Sequence, residues 1–401
     1  VPPPAAAASD RTPTTPGPRV LVLYSDTGGG HRAAARALTQ AIAQLEPDAT
    51  VVAADPLIGE GSAVIRRLAR LYSPLIQRSR PAWGAVYHGS NLRPVFAAIR
   101  AVFGGNVRRI LIRRLREHDP DVVVSVHPLL NHVAFAAIQR SGRKRGLVTV
   151  ITDLVEFHRG WAFPRADLVI VPTESARQAL LKWRVPAERI LLLGLPVDLR
   201  FRPPAPGEKA ALRRRFGLEE DRMTILVAGG GEGSGNLLKQ VRALAWRPRP
   251  WQVIAVCGRN EKLRRRLARV RFATPIRIFG FVENMPELMR ASDLLVSKAG
   301  PGAIAEALTT GLPIMLTGYL PGQETENVTF VTMTGFGLYA PKPEQLLESI
   351  SLLFADDTRI WREMAERAAS AARPYASLDI AREVLGVAER YRASEASQTA
   401  R

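Results

Sequence analysis

The stretch RVLVLYSDTGGGHRAAARAL, Arg19 to Leu38, decides how this chain folds. Its apolar opening reads as a buried strand, and beyond the glycines Leu38, Ile42 and Leu45 fall on one helical face. Between them lies Gly28-Gly29-Gly30, whose backbone can take φ > 0 and approach a ligand closely because no Cβ stands in the way. His31 follows directly, at what becomes the amino end of a helix. There the helix dipole disfavours the imidazolium and keeps the ring a neutral base. A tight turn with a solvated histidine is the alternative, and the rest of the chain has to choose.

The same rhythm runs outward from this point. In the first half the apolar runs ATVVAAD (49–55), DVVVSV (121–126), GLVTVIT (146–152), ADLVIVP (166–172) and RILLLG (189–194) alternate with helical patterns. Near-continuous apolar strands of this kind indicate parallel sheets covered on both faces. The Pro-rich GLPVDLRFRPPAPGE (194–208) interrupts the series and reads as a linker. The rhythm then restarts with TILVAGG (224–230), QVIAVCG (252–258), IRIFGFV (276–282), DLLVSKAG (293–300) and LPIMLTG (312–318). The expected fold is α/β: two Rossmann-like domains, residues 19–198 and 199–375, whose parallel sheets turn their carboxyl-end crevices to a central cleft. Residues 376–401 are expected to add a C-terminal helix and tail. Residues 1–18, rich in Pro, Ala and Thr, are expected to be a disordered tail, with neither the basic nor the apolar region of a signal peptide.

Bulk composition agrees with this division. The 401 residues suit two domains of ordinary size, and 46% apolar content excludes global disorder. The single cysteine, Cys257, rules out an intramolecular disulfide framework and fits a reducing compartment. A net charge of +19 favours polyanionic partners, either nucleic acid or an anionic membrane face. Neither long uncharged stretch, 122–139 or 307–323, reads as a membrane span, because His, Gly and Pro interrupt both.

Two motifs of the second half suit phosphate chemistry. AGGGEGSGN (228–236) brings Gly229, Gly230, Gly231 and Gly233 between a strand and a helix, without the Lys-Ser/Thr ending of a P-loop. In SKAGPGAIAEAL (297–308), Gly300, Pro301 and Gly302 open a helix whose free amides can receive a diphosphate. Glu306 lies one turn on, where a carboxylate can accept from two ribose hydroxyls or merely complement the helix end. In PGQETEN (321–327), Gln323 and Glu324 are placed either to contact hydroxyls of a sugar hanging from that diphosphate or to cap a helix. Metal chemistry finds no support. Asp119-Pro120-Asp121 precedes a strand and reads as a turn, and His127 with His132 lacks a third ligand. No metal or cofactor is expected.

Residues 57–116 are an insertion with twelve Arg, no Lys and Glu60 as the only acid. Arg66, Arg67, Arg70, Arg108, Arg109, Arg113 and Arg114, with Trp83 among the interleaved aromatics, read as a surface for an anionic lipid headgroup layer. Packing against the first domain with a solvated basic face is the alternative. Nothing in the chain carries a nucleic-acid-binding signature.

SDTGGGHRAAARAL, TDLVEFHRGW, SKAGPGAIAEAL and YLPGQETENVTFV together resemble the monogalactosyldiacylglycerol synthase family, and more distantly the N-acetylglucosaminyltransferase that makes lipid II. The resemblance runs from Val20 to the end of the chain. It implies a GT-B fold and an inverting, UDP-sugar-dependent glycosyltransferase with His31 as general base. It also implies Glu306 on the ribose and Gly300 to Gly302, with the Gly229–Gly233 loop, around the diphosphate. Gln323 and Glu324 would meet the donor sugar, and Gly258 with Gly280-Phe281-Val282 the uracil ring. Gly29, Gly30, His127, Asp153 and His158 are expected on the acceptor side of the cleft. EFHRGW (156–161) departs from the Cys-His-Pro-Thr-Trp segment of the plant enzymes. The reaction so implied moves a hexose, galactose before glucose, from UDP to diacylglycerol, by a peripheral enzyme on the cytoplasmic face of a membrane. A polyprenyl-linked acceptor and a catalytically silent lipid-binding protein are the competing expectations.

Overall fold

A computed structural model describes residues 17–26, 29–61, 67, 80–231 and 236–399. Among the described residues twelve strands form two sheets, and every strand pair is parallel. The first holds β1 (Arg19–Leu23), β2 (Thr50–Ala54), β3 (Val122–Ser125), β4 (Gly146–Val150), β5 (Leu168–Val171) and β6 (Ile190–Leu192), in the order β2-β1-β3-β4-β5-β6. The second holds β7 (Met223–Ala228), β8 (Trp251–Val256), β9 (Ile276–Phe279), β10 (Leu294–Ser297), β11 (Ile314–Leu316) and β12 (Gly337–Tyr339), in the order β12-β11-β10-β7-β8-β9. Each apolar run quoted above contains one of these strands, except that β7 and β8 each begin one residue before theirs. β12 alone has no such run, being three residues with two of them exposed.

The unbroken apolar strands have a simple cause. Side chains alternate between faces, so a strand with helices on both sides must be apolar at every position. In β1, Val20 and Val22 pack against the helix Gly30–Leu45 through Leu38 and Ile42. Leu21 and Leu23 pack the opposite way, with Val107, Leu111 and Leu115 of the helix Arg93–His118.

That second helix redefines the insertion. Its later part is the cover over one face of the first sheet, connecting β2 to β3. Arg113 and Arg114 are taken up by Glu60, at 2.9 Å each, and also pair with Glu117. Trp83, on the helix Arg80–Ser90, is buried beside Tyr87. For Trp83, and for Arg114 half-buried in its ion pairs, the structure corrects the reading as headgroup contacts, whereas Arg113 stays exposed beside its partners. Arg67 and Arg109 are exposed and Arg108 is half-buried, whereas Arg66 and Arg70 lie outside the described residues. The exposed apolar side chains here are ones composition alone did not single out: Val86, Leu92, Val95 and Val102.

The last helix, Ala376–Thr399, returns to the first lobe. Ile380, Ala381, Val384, Val387 and Ala388 are fully buried among Val20, Val122 and Val148. The two chain crossings between lobes lie side by side. The Ser377 hydroxyl accepts from the Val197 amide at 3.0 Å and donates to the Val197 carbonyl at 2.6 Å.

Candidate functional site

The helices Gly30–Leu45 and Pro301–Thr310 touch across the cleft between the lobes. On the first-lobe side, Gly29 caps its helix at φ 88°, a conformation that strains any residue with a Cβ. The turn thereby sends His31 toward the carboxyl end of β3. Its Nδ1 lies 2.8 Å from the carbonyl oxygen of Val126 and 3.0 Å from Thr152 Oγ1. A carbonyl only accepts, so Nδ1 carries the proton and the lone pair belongs to Nε2. Burial pushes the imidazole down to about 4, against the opposing pull of the Val126 hydrogen bond. The ring is therefore neutral at pH 7, through loss of water more than through a helix end. His127 stands edge-on to it, centroids 4.6 Å apart, and Trp161 lies 6.2 Å away.

His158 Nδ1 accepts from the Gly160 amide at 3.1 Å, and the ring also bonds the Ser90 backbone. It thus ties EFHRGW to the helix Arg80–Ser90. That helix in turn meets the second lobe. A Cβ on Gly322 would stand 2.7 Å from Tyr87 Cδ1, and one on Gly84 3.2 Å from Pro321 Cβ. Asp153 is buried, its Oδ2 accepting the Trp161 indole N–H at 2.7 Å, and Gln323 hydrogen-bonds to it from across the cleft.

On the second-lobe side, the loop after β7 lies over the turn after β8. The Arg259 amide donates to Gly231 at 2.9 Å, and a Cβ on Gly258 would stand 2.5 Å from the same carbonyl oxygen. Gly258 sits at φ 56° and Gly230 at φ 70°, so only glycines fit this contact comfortably. Gly229 and Gly231 complete the loop, and Gly233 lies outside the described residues. Phe281 is 55% exposed with the Arg259 guanidinium 4.8 Å above its ring, an open flat platform, while Val282 packs inward.

Gly300 caps the helix Pro301–Thr310, with Pro301 in its first turn. The space around a Cβ on Gly302 is empty to 4 Å. Glu324 also has a local task. One of its oxygens accepts from Lys298 and the other from the Leu320 amide at 2.8 Å, and the side chain is buried. Glu324 thus positions Lys298, and each oxygen keeps a second lone pair. The Lys298 ammonium lies 3.3 Å from where a Gly300 Cβ would stand, at the mouth of the helix amides. The sequence analysis does not single out this cation, because its partner Glu324 lies 26 residues further on. Glu306 is pushed up to about 8 by burial first and by Asp198 second, so it is largely a neutral acid at pH 7 in this state. Among the described residues, no group of three or more His, Cys, Asp or Glu could hold a metal ion.

Chemically, the cleft opposes a neutral base with a fixed tautomer to a cation and a set of helix amides suited to a dianion. A family profile described as monogalactosyldiacylglycerol (MGDG) synthase matches residues 31–197, and the glycosyltransferase family 28 C-terminal domain matches residues 224–378. The probable chloroplastic monogalactosyldiacylglycerol synthase of Glycine max is 35% identical over 373 residues, covering 90% of this chain and 70% of that one. Monogalactosyldiacylglycerol synthase 1 of Arabidopsis thaliana is 34% identical over 373 residues, covering 90% and 69%. Among solved structures, MurG of Acinetobacter baumannii superposes with a TM-score of 0.60 at 17% identity, covering 92% of this chain and 99% of that one.

Proposed function

The chain belongs to the monogalactosyldiacylglycerol synthase family, and from that premise we propose that it transfers galactose from UDP-galactose to diacylglycerol, with inversion, at a membrane surface. The GT-B fold, two parallel-sheet lobes around a cleft, is the frame for this reading. The observation that carries it is His31: a neutral imidazole with Nδ1 committed to Val126, on the helix that touches the second-lobe helix Pro301–Thr310.

In this scheme the diacylglycerol hydroxyl attacks the anomeric carbon of the α-linked donor as His31 Nε2 takes its proton. The bond to the diphosphate oxygen breaks, and the electron pair leaves with UDP. Lys298, the first-turn amides of the helix Pro301–Thr310 and the Gly229–Gly231 loop stabilise that charge, and none of these steps calls for a metal. Glu306, as a neutral acid, can both donate and accept, which suits a pair of ribose hydroxyls. Phe281 and Arg259 offer a flat surface for the uracil.

No described helix is long and apolar enough to cross a membrane. Docking falls to the outer face of the two insertion helices, where Val86, Leu92, Val95 and Val102 alternate with exposed Arg93, Arg100 and Arg109. Two assays test the proposal. Radiolabelled UDP-galactose and UDP-glucose are supplied in parallel with diacylglycerol micelles, and a β-galactosyl lipid is the expected product. A glucosyl product would reassign the donor, and no glycolipid from either would end the reading. Sedimentation should show tighter binding to phosphatidylglycerol vesicles than to neutral ones, weakened by salt and by Val102→Glu. Equal sedimentation with both vesicle types would remove the membrane surface from the scheme.

A further inference from the structure

Asp153 is a buried carboxylate that the transfer scheme leaves without work. It is 5% exposed, and no cation is among the groups that shift it. Burial, with the Glu324 carboxylate as a smaller contributor, raises it to about 6, while the Trp161 and Gln323 hydrogen bonds pull the other way. At pH 7 it is therefore mostly ionised, with two neutral donors in place of a counter-charge.

Its position follows from its neighbours on both lobes. Thr152, the residue before it, stands 3.0 Å from His31 Nδ1, and the Trp161 ring it anchors lies 6.2 Å from the His31 ring. On the other lobe, Gln323 precedes Glu324, whose Oε1 is 3.7 Å from the Cβ position of Gly300. Asp153 thus lies between the base and the helix mouth. A group passing from a diphosphate to an acceptor hydroxyl has to cross this space. A hexose brings hydroxyl donors and no charge, and O–H donors to a carboxylate make strong hydrogen bonds.

We propose that Asp153 selects the donor hexose: its carboxylate, held on the Gln323 amide in this structure, passes to a hexose hydroxyl when the nucleotide sugar enters. The Gln323 amide is then released to a neighbouring hydroxyl of the same ring. This rests on the glycosyl-transfer reading above and deepens it. One wall of the sugar pocket comes from each lobe, so UDP is gripped by the second lobe alone. The identity of the hexose is read only where the lobes meet.

The test is Asp153→Asn, which keeps the size of the side chain and an oxygen for Trp161. Steady-state kcat and KM are measured with UDP-galactose and UDP-glucose separately, and the Kd of UDP by calorimetry. The ratio of kcat/KM between the two donors is expected to fall by about ten- to a hundredfold, the range of a lost charge-assisted hydrogen bond, with UDP binding within about twofold of wild type. Trp161→Phe removes the anchoring N–H and keeps the acid, and should shift the ratio the same way by less. The proposal is overturned if both donors lose kcat/KM together at an unchanged ratio, or if UDP binding weakens in step. A wild-type protein that transfers neither sugar while still binding UDP would instead overturn the transfer reading, and this inference with it.

Discussion

Replacing His31 by alanine tests the proposed base directly. The ring donates one hydrogen bond, to Val126. Truncation should therefore cost about 1 kcal/mol of stability from the bond. The loss in kcat is expected to be far larger, about 10²- to 10⁴-fold, or roughly 3–5 kcal/mol of barrier. The Kd of UDP should stay put. The wild type carries a second signature. Burial holds His31 at about 4 in the folded chain, against the ordinary 6.5 of a solvated imidazole when unfolded. The unfolded state binds the proton first, so stability is full above 6.5 and falls as pH drops toward 4, by roughly 3 kcal/mol. His31→Ala should flatten part of that decline in urea titrations at pH 7 and pH 4.5. The rate of glycolipid formation, followed with radiolabelled donor, decides the catalytic claim. A His31→Ala enzyme within fivefold of wild-type turnover, or one whose rate loss is matched by weaker UDP binding, would refute the reasoning.

Three further outcomes follow. Glu306 is held near 8 in the fold against about 4.5 unfolded, so its ionisation opposes folding increasingly as pH rises from 4.5 to 8. Glu306→Gln should raise Tm at pH 8, leave it unchanged at pH 4.5, and weaken UDP binding, all measurable by scanning fluorimetry with and without UDP. Lys298→Met strands the buried Glu324 carboxylate and should cost about 3 kcal/mol, of which Glu324→Gln in the same chain recovers part, as a double-mutant cycle would show. Gly146→Val places a Cβ 2.4 Å from Val387 Cγ1, and overpacking of that order should lower stability by about 1–3 kcal/mol in denaturant melts.

Periodicity made the lobes readable. Strands covered on both faces are mostly apolar, and eleven of the twelve described strands fall on apolar runs of the sequence. β12 stays silent because it is three residues long and two of them are exposed. The final helix is visible as a helix, yet its partners Val20 and Val122 lie more than 250 positions earlier, beyond any local pattern. The candidate site divides similarly. The glycine turns at Gly29, Gly230 and Gly300 are local signals. The pairings of His31 with Val126, Asp153 with Gln323 and Lys298 with Glu324 join distant segments, and only the folded chain brings them together. Trp83 shows the converse: its residue type pointed outward to lipid, and packing against Tyr87 turned it in.

The return of the last helix makes the second lobe a guest inserted within the first. A cut after Ala372 would spare the strands, the glycine turns and Lys298 of the nucleotide lobe. It would strip Ile380, Val384 and Val387 from the opposite lobe, apolar cover worth roughly 1.5–3 kcal/mol per side chain. Damage at the far end of the polypeptide would thus be felt first in the lobe of His31, with Lys298 and the Gly300 helix mouth still intact.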